Sequence, residues 1–490
     1  MQRLISCALL LGLATSAQSS VEQVFDQVRQ DPNALYAFLK EMPKGGELHY
    51  HLSGGAYPET MVKLASEQDY CLDLQTLSVA KITETCKGIK TSHIFKNPEL
   101  YDQIIRSWSM KNFIAGKESG HDHFFATFFK FTNLVMDNHI PLLAEVIQRA
   151  ADQQEEYIEV MMMPDYARST LAAPAPDLSQ GYEKAKTQLL ANPAFMQEIS
   201  NTVKVSDQLL PDTRKFLGCE NKPEQAACLL TVKLQYHILR EQELPQFFMQ
   251  ALHGFAAASQ STAIVAINVV QAEDGIISLR DYKKQMEVIH FLHQLYPQVH
   301  IALHAGELSG EDVMPEDLRF HIRDALLIGH AERIGHGLDI GFEDNSLDTL
   351  NYMKTRQIPV EINLTSNEKI LNITGKEHPI HYYLAHDVPV VLSTDDEGVL
   401  RTDLTRQYVK AVIEHDIDYS QLKNMTRNVL TYAFLPGKSL WADPAKGTLV
   451  NECMDLNSAA CEAFVKRSEK AHLQRDLELK LAAFEKRFES

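Results

Sequence analysis

Val299-His300-Ile301-Ala302-Leu303-His304-Ala305-Gly306-Glu307 reads as a short buried strand that runs straight into polar chemistry. His304 closes the apolar run, Ala305-Gly306 lets the backbone turn tightly, and the turn brings Glu307 back toward the strand end. The pattern recurs. Glu47-Leu48-His49-Tyr50-His51 ends on two histidines, Arg333-Ile334-Gly335-His336-Gly337 on one, and Val390-Val391-Leu392-Ser393-Thr394-Asp395-Asp396 on a carboxylate pair.

Working outward, runs of strand length alternate with longer helical patterns. They predict strands over 47–52, 157–162, 230–239, 263–270, 299–304, 333–336, 359–363 and 389–393. Eight such runs fit a parallel (β/α)8 barrel, but a doubly wound open sheet would show the same alternation. The polar residues decide it: they sit at the C-terminal ends of four strands, and a barrel gathers those ends at one mouth. The expected organisation is a helical segment over 18–45, the barrel over 46–441 and a helical tail over 442–490. Two connections, 66–138 and 164–229, exceed what a barrel needs, and such insertions normally lie over its C-terminal mouth. The tail from about 462 is charged and helix-periodic, which predicts a solvated amphipathic helix.

A His-x-His pair is weak evidence, because 20 histidines in 490 residues give roughly one by chance. His121-Asp122-His123 is a second pair. It lies in an aromatic, helix-patterned stretch (Phe113, Phe124, Phe125, Phe128, Phe129, Phe131), which predicts packing or a pocket wall. His49 and His51 differ, because residues i and i+2 of a strand share a face and both rings can reach one ion.

Bulk properties narrow the partners. A formal net charge of −18 argues against a nucleic-acid groove or an anionic membrane surface. Arg3, the apolar run 4–14 and the small residues Thr15-Ser16-Ala17 read as a secretory signal peptide cleaved near Ala17, which predicts a secreted or periplasmic protein. No later stretch is long and apolar enough to span a bilayer. Six cysteines then remain, as three local pairs (71 and 86, 219 and 228, 453 and 461). An even count in an exported chain reads as disulfides, with connectivity open and only proximity favouring the local pairs. Self-association is left open; a homo-oligomer is neither required nor excluded.

The stretch 42–51, His304-Ala305-Gly306-Glu307, Ile334-Gly335-His336-Gly337 and Ser393-Thr394-Asp395-Asp396 together resemble the metal-dependent adenosine deaminase family, over about residues 42–441. The leader, Ser109-Met110-Lys111-Asn112-Phe113 and His121-Asp122-His123-Phe124-Phe125 look closest to its secreted, growth-factor-like branch. The resemblance implies an amidohydrolase-type barrel in which His49, His51, His304 and Asp395 bind one Zn²⁺. It implies that His336 orients or deprotonates a water and that Glu307 donates a proton to purine N1. Asp396, not a ligand, would accept a hydrogen bond from the ring at N7. The implied reaction is hydrolysis of adenosine, and 2′-deoxyadenosine, to the inosine plus ammonia.

Two departures touch the substrate rather than the metal: Ser53 stands where intracellular members carry a ribose-contacting aspartate, and Gln271 where many place a glycine. Animal growth-factor-like members carry a substantial N-terminal dimerisation region, whereas roughly 28 residues separate Ala17 from the first strand here, so their dimer mode is not carried over. The rival reading is a mononuclear amidohydrolase acting on another aminopurine, an amide or an ester. The two-metal variant needs a lysine on strand four, and 263–270 contains none.

Overall fold

The computed structural model describes residues 20–489; the expected leader lies outside them. Eight strands form the barrel: β1 Gly45–His51, β2 Glu155–Met162, β3 Thr231–Leu239, β4 Ile264–Val270, β5 His300–Ala305, β6 Arg333–His336, β7 Val360–Ile362 and β8 Val390–Leu392. They pair in sequence order and always in parallel. Every residue of β1 and β2 is buried, as expected of strands with helices outside and packed side chains inside. The seam between β8 and β1 closes through a bridge between Tyr50 and Asp395. The His51 N–H donates to the Asp395 carbonyl at 3.1 Å, and the Asp395 N–H to the His49 carbonyl at 3.3 Å. All eight expected strands are present, so the open-sheet alternative falls.

Gly46 is where β1 needs a glycine. Its φ is +153°, and a Cβ there would lie 1.7 Å from the Tyr157 carbonyl oxygen of β2. Helix Leu244–Ala258, between β3 and β4, is buried at every position from Phe247 to Ala257. A helix apolar all round needs cover on both sides. It packs on β3 and β4 inside and on helix Pro193–Phe216 outside.

That second contact corrects the expectation for 164–229. Much of this connection is the helix Pro193–Phe216, which packs along the barrel's flank against His139–Asp152 and Leu244–Ala258 instead of roofing the mouth. The first insertion does reach the mouth: the Met110 N–H donates to the Val399 carbonyl, and helix Gly120–Asp137 packs on Leu364–Leu371, the helix after β7. It also contains a small antiparallel sheet, Tyr70–Leu72 with Val79–Lys81 and Ile89–Lys90. Disulfides join Cys71 to Cys86, Cys219 to Cys228 and Cys453 to Cys461, the local pairing.

The tail helix is amphipathic as expected, but its apolar face is covered instead of being left to solvent. Helix Glu469–Lys486 buries Ala471, Leu473, Leu477, Leu481 and Phe484, and packs on helix Tyr419–Tyr432 and the barrel. The N-terminal segment is two helices, Val21–Val28 and Pro32–Lys40, because Pro32 restarts the helix under an Asp31 cap. Phe25, Phe38, Tyr419 and Phe484 meet with ring centroids 5.3 to 6.3 Å apart. The helices Val21–Val28, Pro32–Lys40 and Glu469–Lys486 therefore cover the end of the barrel opposite the mouth, leaving the mouth to the site residues.

Glu47 on β1 braces the seam from outside the lumen: its Oε2 accepts from the Thr394 N–H at 2.6 Å and hydroxyl at 2.8 Å. Burial, then the nearby Glu397, push its carboxyl up from 4.5 to about 8. The folded state thus holds a proton that the unfolded chain releases near 4.5, so stability is lost as pH rises between those values. Glu47→Gln keeps an acceptor for Thr394 and removes the titration. Its Tm should match the wild type at pH 5 and exceed it at pH 8; the same Tm difference at both pH values would contradict this.

Candidate metal centre

Four expected ligands come together. His49 and His51 point from β1 into the lumen with ring centroids 5.6 Å apart. The two rings' Nε2 atoms lie 3.4 and 3.3 Å from Asp395 Oδ1, and His51 Nε2 lies 3.2 Å from His304 Nε2. One donor atom from each of His49, His51, His304 and Asp395 falls within a 4.8 Å cluster, all four residues buried. Glu307, His336 and Asp395 form a second, overlapping group. His336 Nε2 is 3.6 Å from Glu307 Oε1 and 3.9 Å from Asp395 Oδ2. His121 and His123 belong to neither group: His121 Nε2 pairs with Asp274 at 2.9 Å, and His123 with the Ser109 carbonyl at 3.0 Å.

The donor set fits a divalent metal of the zinc type: three imidazoles and one carboxylate. His49 Nε2 is buried without a hydrogen-bond partner. Its Nδ1 donates to Glu361 Oε2 at 2.8 Å, and His304 Nδ1 donates to Asn268 Oδ1 at 2.8 Å. Each bond fixes the tautomer that turns the Nε2 lone pair toward the cluster. Burial holds His51 down at about 4 and His304 well below its ordinary value, so both rings are neutral. Burial opposes a charge on His49 as well, but Asp395 and Glu361 outweigh it and raise the ring to about 10. A cation facing His49 Nε2 would satisfy the same two carboxylates.

Sequence reading missed this supporting layer. Arg333, 1% exposed, donates to Glu361 and Glu159 at 2.6 Å each, so the carboxylate behind His49 is itself paired. Burial alone would raise Glu361, but Arg333 and His49 hold it below its ordinary value. Ser366 donates to Asp395 Oδ2 at 2.7 Å. The available signal was a polar residue inside a strand buried on both faces: Asn268 in Ala266-Ile267-Asn268-Val269 and Glu361 in Val360-Glu361-Ile362. Gly335 belongs here too, because a Cβ at that position would lie 2.7 Å from His49 Cε1.

A chain of hydrogen bonds sets the His336 tautomer. The Ile380 N–H donates to His378 Nδ1 at 3.2 Å, so His378 carries its proton on Nε2 and donates to Asn367 Oδ1 at 3.0 Å. The Asn367 amide nitrogen then donates to His336 Nδ1 at 3.0 Å, which leaves the proton on Nε2, facing Glu307 and Asp395. Burial pulls the His336 ring down to about 3, so it is neutral. His336 Nε2 can thus donate a hydrogen bond at this face but cannot accept a proton there.

Of the two carboxylates after β8, Asp395 is held well below the usual range: burial opposes ionisation, but His49 and the neighbouring histidines outweigh it. Asp396 is raised well above that range by burial and then by Asp395, and its Oδ1 has no partner. Glu307 is raised to about 8 by burial, Asp395 and Glu273. The mouth thus presents two carboxylic acids beside a metal-type cluster. Gln271 takes φ +83°, a conformation suited to glycine, with its side chain accepting from the Glu241 N–H at 2.9 Å. His336 and Asp395 both have φ +67°. Left-handed conformations in side-chain-bearing residues thus recur just past or at the ends of β4, β6 and β8.

Replacing Asn268 by Ala removes the acceptor for His304 Nδ1. Zinc affinity should fall roughly 10- to 100-fold, read by competition with a chromogenic chelator. An unchanged affinity would mean that Asn268 does not set the ligand's orientation.

Comparisons with known proteins bear on the frame. An adenosine deaminase of Klebsiella pneumoniae is 36% identical over 137 residues, 28% of this chain and 38% of that protein. One from Escherichia coli is 33% identical over 147 residues, 30% of this chain and 41% of the relative. The matched stretches thus span about two fifths of these relatives' lengths. Among solved structures, an Arabidopsis ADAL protein complexed with IMP has a TM-score of 0.54 at 17% identity, covering 91% of this chain and 99% of that one. An adenine deaminase from Arthrobacter aurescens has a TM-score of 0.51 at 15% identity, covering 86% and 98%. Both likenesses bear on the fold alone. The adenosine deaminase family model matches residues 96–441, which include His304, Glu307, His336, Asp395 and Asp396. With more than two thirds of its length inside that match, the chain belongs to the adenosine deaminase family.

Proposed function

We propose that this protein is a zinc-dependent deaminase that hydrolyses adenosine and 2′-deoxyadenosine to the corresponding inosine and ammonia. The observation that carries the reading is the four-residue donor cluster with Glu307 and His336 beside it at the same mouth, Glu307 Oε1 lying 3.6 Å from His336 Nε2. His49, His51, His304 and Asp395 would hold one Zn²⁺. When bound, zinc supplies Lewis acidity that brings the pKa of water toward neutrality. The rest falls to the chain's own groups. His336 Nε2–H orients the oxygen that adds at C6. Glu307 gives its proton to N1 as that oxygen adds, the proton released from water passes to the amino group, which leaves as ammonia, and the Glu307 carboxylate regains a proton from the C6 hydroxyl as the carbonyl forms.

Asp396 reverses the hydrogen bond expected of it. N7 of a neutral purine carries a lone pair and no proton, so it can only accept. A carboxyl held in its acid form by burial donates to it, and Asp396 therefore gives a proton toward N7 instead of receiving one. Ser53 and Gln271 leave a second substrate reading in play, another aminopurine, because both lie at the rim where the sugar and ring would rest.

The site of action is proposed to be the periplasm or the cell exterior, in keeping with the leader-like start and three disulfides. Assignment to the secreted, growth-factor-like branch is part of the same proposal and rests on the 109–113 and 121–125 motifs.

Purified protein should release ammonia from adenosine and deoxyadenosine well above adenine, AMP and guanosine. Activity confined to the free base or the nucleotide would move the substrate and keep the chemistry. Glu307→Gln should lower kcat by about 10³-fold with bound zinc unchanged; turnover near wild type would remove Glu307 from the mechanism.

A further inference from the structure

The loop after β4 carries a carboxylate that the reaction above does not use. Glu273 is 1% exposed. Its Oε1 accepts from the Gly306 N–H at 3.1 Å and its Oε2 from the Glu307 N–H at 2.9 Å. Two successive amides of the Glu307 turn thus rest on one carboxylate. That carboxylate is gripped from behind: His321 Nδ1 lies 2.6 Å from Oε1, and Arg240 Nη1 lies 3.5 Å from Oε2.

The grip is rigid in its turn. The His321 ring stacks on Tyr282 with centroids 3.8 Å apart, and the Tyr282 hydroxyl donates to the His321 carbonyl at 2.7 Å. Arg240 also donates to the Val269 carbonyl at 3.0 Å, and Gln285 donates to the Arg240 carbonyl at 2.9 Å. The turn's carbonyls are held from the opposite side, because the Gly337 N–H donates to Ala305 at 3.0 Å and the Leu338 N–H to Gly306 at 2.8 Å. Gly306 has φ +74°, and a Cβ there would lie 2.3 Å from Asp339 Oδ1, so the turn has one packed arrangement. Its amides face the β4 loop and its carbonyls the β6 loop.

We propose that Glu273 is a positioning residue: its carboxylate is the template on which the Gly306–Glu307 segment is held, so that the Glu307 side chain faces the reacting purine. This rests on the proton-donor role given to Glu307 above. A carboxylate is required chemically, because two N–H groups, an imidazole N–H and a guanidinium all need an acceptor, and an amide would turn its NH₂ against one of them. Misplacing a catalytic group by about 1 Å costs on the order of 10²-fold in rate.

Glu273→Gln is isosteric and tests the idea. It should lower kcat about 10- to 100-fold while KM stays within about threefold and zinc content is unchanged, because neither the ligands nor the substrate-facing Asp396 is touched. Hydrogen exchange at the Gly306 and Glu307 amides should accelerate. Unchanged exchange, a kcat within threefold of wild type, or zinc lost in step with kcat would each overturn the proposal. If Glu273→Gln does not fold, His321→Gln keeps the carboxylate and loosens its hold. It should show a smaller loss of kcat with faster exchange at the same amides, and exchange equal to wild type would overturn the proposal. Should the wild type release no ammonia from any purine, the function fails but the exchange rates still decide the role of Glu273.

Discussion

Strand β1 and Asp395 exchange two backbone hydrogen bonds at the barrel's closing seam, between the His51 amide and the Asp395 carbonyl and between the Asp395 amide and the His49 carbonyl. The same three residues place their side chains in the donor cluster. Closure and ligand geometry are therefore one constraint. A seam displaced by one residue would turn the β1 histidines away from the lumen, since strand side chains alternate between faces. Asp395 keeps its place by adopting φ +67°, a cost that the bonds on either side of it compensate. A metal bound there would tie β1, β5 and β8 together and stabilise the closed barrel by mass action.

Beneath the cluster the lumen is unusually charged for a buried space. Arg333 lies between Glu159 and Glu361, all three essentially inaccessible, and Glu361 passes the arrangement on to His49. Buried ion pairs are expensive to desolvate and seldom justify themselves as stabilisers. Here the arrangement has a directional use. Each imidazole nitrogen pointing away from the cluster has a fixed partner at His49 and His304, and His336 is fixed by Asn367 in the opposite sense, with its proton facing inward. Two rings turn a lone pair toward the cluster and one turns a proton toward it, the division of labour that the proposed mechanism uses.

The barrel was legible because a strand buried on both faces is written as an unbroken apolar run, and the site because its residues stop such runs. His49, His51, His304, His336, Asp395 and Asp396 all fall at strand ends by that rule. The supporting layer was not legible as such. Asn268 and Glu361 act on histidines 36 and 312 residues away, and nothing local tells a satisfied buried polar residue from an error in the strand assignment. The tail was misread for a related reason. Its apolar stripe, Leu473, Leu477, Leu481 and Phe484, is narrow against a charged face, and only the open end of a barrel explains what covers it. The connection after β2 was misjudged because its length suggested an insertion, whereas the helix Pro193–Phe216 is itself an outer layer of the barrel wall. The burial that pushes Asp396 toward its acid form is likewise visible only in the fold.

The central claim is that one metal ion, held by His49, His51, His304 and Asp395, enables hydrolysis at C6 of a purine. It is tested most directly by titrating zinc into chelator-stripped protein while following ammonia release from adenosine. No turnover is expected without metal, followed by a linear rise that saturates at one equivalent per chain. Turnover in the stripped protein, or saturation only at two equivalents, would contradict it.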